Sequence, residues 1–218
     1  KIMLQIFILA AVALFLFWRL KSVLGSREGF EKTVQEIQAQ TNNIKTVPSA
    51  PNADDDFDND ISDYVEENSE NAETLKAIKD LNEHFTVESF VSGAKKAYEI
   101  ILMAFENSDL KTLKPLLDKS VFESFKTVVD DRQKKQLSIE ASFIGMRDIR
   151  ITNVYFDKKT NMAEITVAFK SEISTVVKDK TGKVIEGDPN EIKKQKDYWT
   201  FSKKLSDKKP IWLLKYTT

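Results

Sequence analysis

The chain has 218 residues, with 33 Lys and Arg against 34 Asp and Glu, no cysteine and one histidine. The missing cysteines exclude disulfides, a thiol nucleophile and thiolate metal sites, and the single histidine, His84, excludes histidine-clustered zinc and two-histidine iron sites. Binding, scaffold or adaptor roles therefore come ahead of enzyme chemistry, no cofactor is expected, and the length allows one domain with accessories.

The first predicted element is apolar. Ile2 to Trp18 reads IMLQIFILAAVALFLFW, with Gln5 its only clearly polar residue. As a helix it spans roughly 25 Å, slightly short of the roughly 30 Å hydrocarbon core. Ala11-Val12-Ala13 has the form of a signal cleavage site, but the run continues through Phe15, Phe17 and Trp18, which argues for an anchor. Arg19, Lys21, Arg27 and Lys32 follow the run, so that side is expected in the cytoplasm. Residues 1–20 are thus read as a single transmembrane anchor, with Phe7, Leu14 and Phe17 in the apolar span and Trp18 and Arg19 at its interface.

Residues 21–73 read as a polar tether. Between Asp54 and Glu73 there are ten acids and no Lys or Arg, a composition that cannot bury enough apolar area to offset ordering, so disorder is expected. Asp54-x-Asp56-x-Asp58 starts like a calcium loop, but Asn59 stands where that loop needs glycine and Val65 where it needs glutamate.

Residues 74–218 read as a domain carrying 27 basic and 21 acidic groups, a net of +6. That charge suits an anionic leaflet, RNA or an acidic partner, and neither a zinc finger nor a Gly-rich phosphate loop accompanies it. Glu73 to His84 forms a short amphipathic helix, with Leu75, Ile78, Leu81 and then Phe85 interleaved by Lys76 and Lys79; packing on the domain and facing a membrane or partner are equally open roles for it. Thr86 caps a longer helix to Glu106, whose stripe is Phe90, Ala94, Ala97, Tyr98, Ile101, Leu102 and Phe105; Gly93 within it points to close packing. Asp109 caps a second helix that Pro115 breaks, and a third runs from Val121 to about Gln136.

After Leu137 the period becomes two. Strands are expected over Ile139–Val154, Met162–Val177, Lys196–Leu205 and Ile211–Tyr216, with turns at Asp157–Asn161, Asp179–Gly182 and Lys208–Pro210. Helices followed by strands mean α+β, here helices on one face of a curved antiparallel sheet of about four strands. Tyr98, Phe105, Trp199, Phe201 and Trp212 are candidates to line a pocket between the layers, with ordinary core as their alternative role.

Several short motifs in order resemble a known family. The post-anchor stretch Phe17 to Glu31 comes first, then Ile78, Asp80 and Phe85. Phe90, Gly93, Ala94, Ala97, Tyr98 and Glu99 follow, with Ala104-Phe105, then Asp197, Trp199, Thr200 and Phe201, and finally Pro210, Trp212 and Leu214. Together they resemble the TIM-forty-four-like family of alphaproteobacterial membrane proteins related to the mitochondrial translocase motor scaffold. Ser108, Lys203 and Ile211 depart from the family pattern at turns.

The resemblance implies a nuclear-transport-factor-two-like or cystatin-like cone. For mitochondrial members it implies a peripheral scaffold linking a protein-conducting channel to a chaperone motor, with affinity for cardiolipin. What carries over here is narrower: a non-enzymatic adaptor anchored in a bacterial inner membrane, whose cytoplasmic domain holds a protein or lipid partner near the bilayer. It marks Leu75, Lys76, Ile78, Lys79 and Leu81 as the face toward anionic lipid or a protein partner. A small-ligand or enzymatic cone pocket is the alternative, and ribosome or RNA docking a second; DNA is not expected as a partner.

Overall fold

The computed structural model describes residues 55–207 and 211–218. The anchor residues Phe7, Leu14, Phe17, Trp18 and Arg19, and the tether up to residue 54, lie outside them. Among the described residues no helix is long and apolar enough to cross a membrane.

Among the described residues five helices come first: α1 Asp55–Ser62, α2 Glu70–Leu81, α3 Val87–Glu106, α4 Leu110–Leu113 and α5 Lys119–Lys134. Five strands follow: β1 Ser138–Asp157, β2 Met162–Lys178, β3 Val184–Glu186, β4 Lys193–Lys204 and β5 Leu213–Thr217. They form one antiparallel sheet in the order β1-β2-β4-β5, with β3 paired to β2. The fold is α+β, as expected, with one more strand.

Local chemistry sets the helix starts. The Thr86 hydroxyl accepts from the Ser89 N–H, and the Asp109 carboxylate accepts from the Lys111 and Thr112 N–H groups, both at the expected caps. α5 begins two residues earlier than expected because Asp118 caps it, accepting from the Ser120 N–H. α2 begins at Glu70 because Ser69 accepts from the Ala72 N–H.

β1 and β2 are a long hairpin closed at Asp157, whose carboxylate accepts from the Lys159 N–H and the Thr160 hydroxyl. Three register shifts along β1 (between Phe143 and Gly145, Met146 and Asp148, Ile151 and Asn153) bend the strand and curve the sheet. Ala163, Ile165, Val167 and Phe169 of β2 alternate inward and are fully buried. They meet Leu75 and Ile78 of α2 and Phe90, Ala94, Tyr98 and Ile101 of α3 in one core. Gly187 seats the loop after β3 against β2. Its φ is +82°, and a Cβ there would stand 2.1 Å from the Thr175 carbonyl oxygen, so only glycine fits.

The acid run is not a disordered tether as far as Glu73. The Asp60 carboxylate accepts from Lys79 Nζ at 2.7 Å and from the Val87 and Glu88 N–H groups at 2.9 and 3.0 Å. It closes an ion pair and caps α3 at once, while Ile61 beside it is buried in the core. Burial alone would raise the Asp60 carboxyl; the Lys79 and backbone hydrogen bonds and the Lys79 charge outweigh it and hold the group below the usual carboxylate range. Composition counted the repulsion among the acids and could not count partners up to 28 residues away. The domain's charge changes with its boundary: residues 55–218 carry 27 basic and 30 acidic groups, a net of −3 in place of +6.

Candidate functional site

The turn before α3, the first turns of α3, the end of β4 and the residues just before β5 line an open groove of about 660 Å³. Its wall is aromatic. The Phe90 and Trp212 rings meet edge-on at 4.9 Å, Phe85 lies 5.9 Å from Trp212, and Phe201 lies 6.2 Å from Phe90. Gly93, Ala94 and Ala97 keep the α3 side low. Close packing does not explain Gly93, because an added Cβ would meet nothing within 4 Å. Glycine there leaves space in the groove instead.

The rim is polar: His84, Lys203 and Asp207 stand beside Thr86 and Ser89, with the half-exposed Ile211 at the lip. His84 is exposed in the turn after α2 rather than within a helix. Apolar walls with a few polar rim groups and a volume of this order suit an extended apolar segment or a small ligand.

Of the five aromatic residues expected to line a pocket, Phe201 and Trp212 do so. Tyr98 and Trp199 are sealed in the core, where Tyr98 stacks on Phe169 at 4.4 Å. Phe105 packs on Phe125 at the far end of α3, under the Arg132 guanidinium. Phe85, Phe90 and Leu116 complete the groove. Phe90 was legible as a helix-face residue, but nothing local marked it or Phe85 as a groove wall.

Tyr98 also carries a buried polar contact. Its hydroxyl donates to Asp197 Oδ2 at 2.5 Å and lies 2.8 Å from Ser171 Oγ. Burial, and then the Asp197 carboxylate it donates to, push the phenol well above its ordinary value. Burial also raises the Asp197 carboxyl, with the Tyr98 hydrogen bond opposing it. Neither residue lines the groove, so the pair joins α3 to the sheet. Glu99, the other carboxylate beside an aromatic residue, is exposed. Among the described residues no group of three or more His, Cys, Asp or Glu side chains is placed to hold a metal ion.

The expected contact helix is turned inward. Leu75 and Ile78 are fully buried, and Lys79, 7% exposed, is held by Asp60. Only Lys76 and Leu81 of that set face outward. The amphipathic pattern was real, but its apolar stripe packs on the domain's own core.

No curated protein matches the chain in sequence. Among solved structures, the intermembrane-space region of the chloroplast protein ARC6 aligns with 59% of this chain and 94% of its own, at 12% identity and a TM-score of 0.40. A de novo designed β-sheet protein aligns with 60% of this chain and 87% of its own, at 14% identity and a TM-score of 0.26. The family model described as the Tim44-like domain matches residues 71–218, from the first turn of α2 through β5, and the chain belongs to that family.

Proposed function

We propose that this protein is a membrane-anchored adaptor whose Tim44-like domain holds an apolar segment of a protein partner beside the bilayer. The observation that carries the reading is the groove. Phe85, Phe90, Phe201 and Trp212 leave an apolar channel open, with Lys203, His84 and Asp207 placed to meet the polar flanks of an inserted segment. The apolar run from Ile2 to Trp18 supports the anchor, and the cations after it support a domain on the cytoplasmic side of a bacterial inner membrane. A link to protein translocation or membrane-protein biogenesis fits a domain that captures apolar segments at the bilayer.

The net charge of −3 over residues 55–218 weighs against general RNA docking. The groove volume also suits a small ligand, which is the second reading.

Because the chain has no cysteine, Ile211→Cys gives a unique site for an environment-sensitive dye at the groove lip. Titration with an apolar peptide flanked by charged residues is expected to shift the emission saturably. Ala97→Phe, which fills the groove, is expected to abolish that shift while leaving the melting temperature close to the parent's. A saturable response to a free acyl chain and none to the peptide would favour the small-ligand reading. No response to either would overturn the groove's role.

A further inference from the structure

The helices occupy one face of the sheet, and the other face has a composition of its own. Residues paired across antiparallel strands share a face. The register therefore places Arg150, Ala168 and Tyr198 in one outer row, Asp148, Lys170 and Lys196 in the next, and Asn153, Thr166, Thr200 and Tyr216 in a third. These rows alternate with the buried inner residues of β2 and β4.

From the row Asp157–Met162–Lys204 to the row Gly145–Glu172–Lys194, with Arg147 and Lys215 paired into it, the outer face carries seven cations against four acids, and three of those acids are already met by a cation. Asp148 binds Arg150 and Lys170, Glu164 binds Lys215, and Glu172 binds Arg147. The surplus is positive although residues 55–218 as a whole are negative, because residues 55–73 hold nine acids and no cation. Tyrosines stand among the cations. Tyr155 and Tyr216 are 55% and 48% exposed, and the Lys196 and Lys215 ammonium groups lie 5.2 and 5.3 Å from the Tyr198 and Tyr216 ring centres.

We infer that this helix-free outer face of the sheet is the surface the domain lays against an anionic bilayer. The inference rests on the membrane-anchored reading above. A local cationic face is enough for a domain tethered beside the surface, because the tether supplies the effective concentration that a net-negative body lacks in free solution. Tyrosine rings with lysine heads above them match the headgroup level, where an amphipathic ring and a cation are both satisfied. The acids of residues 55–73 disfavour the opposite orientation by repulsion from the same leaflet.

The test uses the full chain reconstituted in lipid nanodiscs, with a single cysteine bearing a dye at Asn153→Cys on the outer face or at Glu123→Cys on α5. Discs contain phosphatidylcholine alone or mixed with phosphatidylglycerol, and a headgroup-labelled lipid is the quencher. Quenching at position 153 is expected to exceed that at 123 several-fold in anionic discs. It is expected to fall to the level at 123 in neutral discs, at high salt, and in the Lys194→Glu, Lys196→Glu variant. The Lys194→Arg, Lys196→Arg variant should retain it, and both variants should melt with the parent.

Equal quenching at the two positions, or quenching at 153 that ignores lipid charge, would overturn the assignment. A dye at 153 that responds to an oligouridine strand and not to the anionic lipid would make the face a nucleic-acid surface instead. A chain that does not enter the discs at all would fail the anchored reading itself, a result distinct from failure of the face.

Discussion

Asp60→Ala should be strongly destabilising, although Asp60 lies within the acid run. The Asp60 side chain is 17% exposed and accepts three hydrogen bonds, one from a Lys79 ammonium that is 7% exposed. Asp60→Ala takes a counter-charge away from a buried ammonium, at a cost of about 3 kcal/mol at the low end of the usual range, which the partial exposure of Asp60 selects. Loss of the acceptor for the Val87 and Glu88 N–H groups adds about 1 kcal/mol. For a domain of this size, 3–4 kcal/mol corresponds to a fall in melting temperature of about 6–16 °C.

Lys79→Met removes the cation but leaves Asp60, the more exposed partner, its two backbone donors, so it should cost less than Asp60→Ala. Thermal melting of the chain in detergent micelles, followed by near-ultraviolet circular dichroism, measures both. Hydrogen exchange at the Val87 and Glu88 amides reports the cap directly. The folded state holds the Asp60 carboxyl below its unfolded value of about 3.9, so its contribution is present above that pH and disappears as the pH falls through the lowered folded value. The acid limb of the stability curve should therefore be shallower in Asp60→Ala. If Asp60→Ala melts within a degree of the parent, or costs no more than Lys79→Met, the docking of α1 through this carboxylate is refuted.

Other outcomes follow from the same geometry. Asp197→Asn keeps an acceptor for Tyr98 and removes a carboxylate that burial disfavours, so it should raise the melting temperature at neutral pH. That gain should vanish as the pH falls and wild-type Asp197 becomes protonated. The Tyr98 phenol is raised in the fold, so its stabilising contribution is complete below about pH 10 and declines as the pH climbs further. Spectrophotometric titration should find one tyrosine that ionises only on unfolding. Asn71→Ala should cost about 1–2 kcal/mol, because the Asn71 amide accepts from the Val154 N–H and donates to the Thr152 carbonyl along the free edge of β1. Sedimentation velocity should then show self-association through the uncovered edge.

Features set by neighbours in the chain were legible from the sequence. Thr86 and Asp109 cap helices because a side-chain oxygen reaches an N–H two or three residues on, and the turn at Asp157 works the same way. The alternation of Ile165, Val167 and Phe169 marked an inner strand face, as found. Features that depend on distant partners were not legible. Nothing near Asp60 announces Lys79 or the start of α3, so the acid run read as a spacer. Leu75 and Ile78 show the same apolar stripe whether it meets a membrane or β1 and β2. As candidates for the groove, Tyr98 and Trp212 looked alike in the sequence, both aromatic residues at inward positions. What separates them is that Phe169, Trp199 and Phe143 cover Tyr98, while one side of Trp212 is left open. The three shifts in β1 register left no local signature beyond Gly145.

The link between β5 and the helices has a consequence for how the molecule is made. The Leu214 N–H donates to the Leu116 carbonyl, and the Asp118 N–H donates to the Leu214 carbonyl, so β5 is stitched to the segment between α4 and α5 as well as to β4. During synthesis all five helices emerge before any strand exists to cover them. Phe90, Tyr98 and Ile101 stay uncovered until β2 and β4 are made, and the helical half is fastened only when residue 214 leaves the ribosome. A nascent chain of this protein presents an apolar helical surface for most of its translation, so a ribosome stalled before β5 should hold a chain that binds chaperones and is cut readily by protease. Release past residue 214 should end both at once.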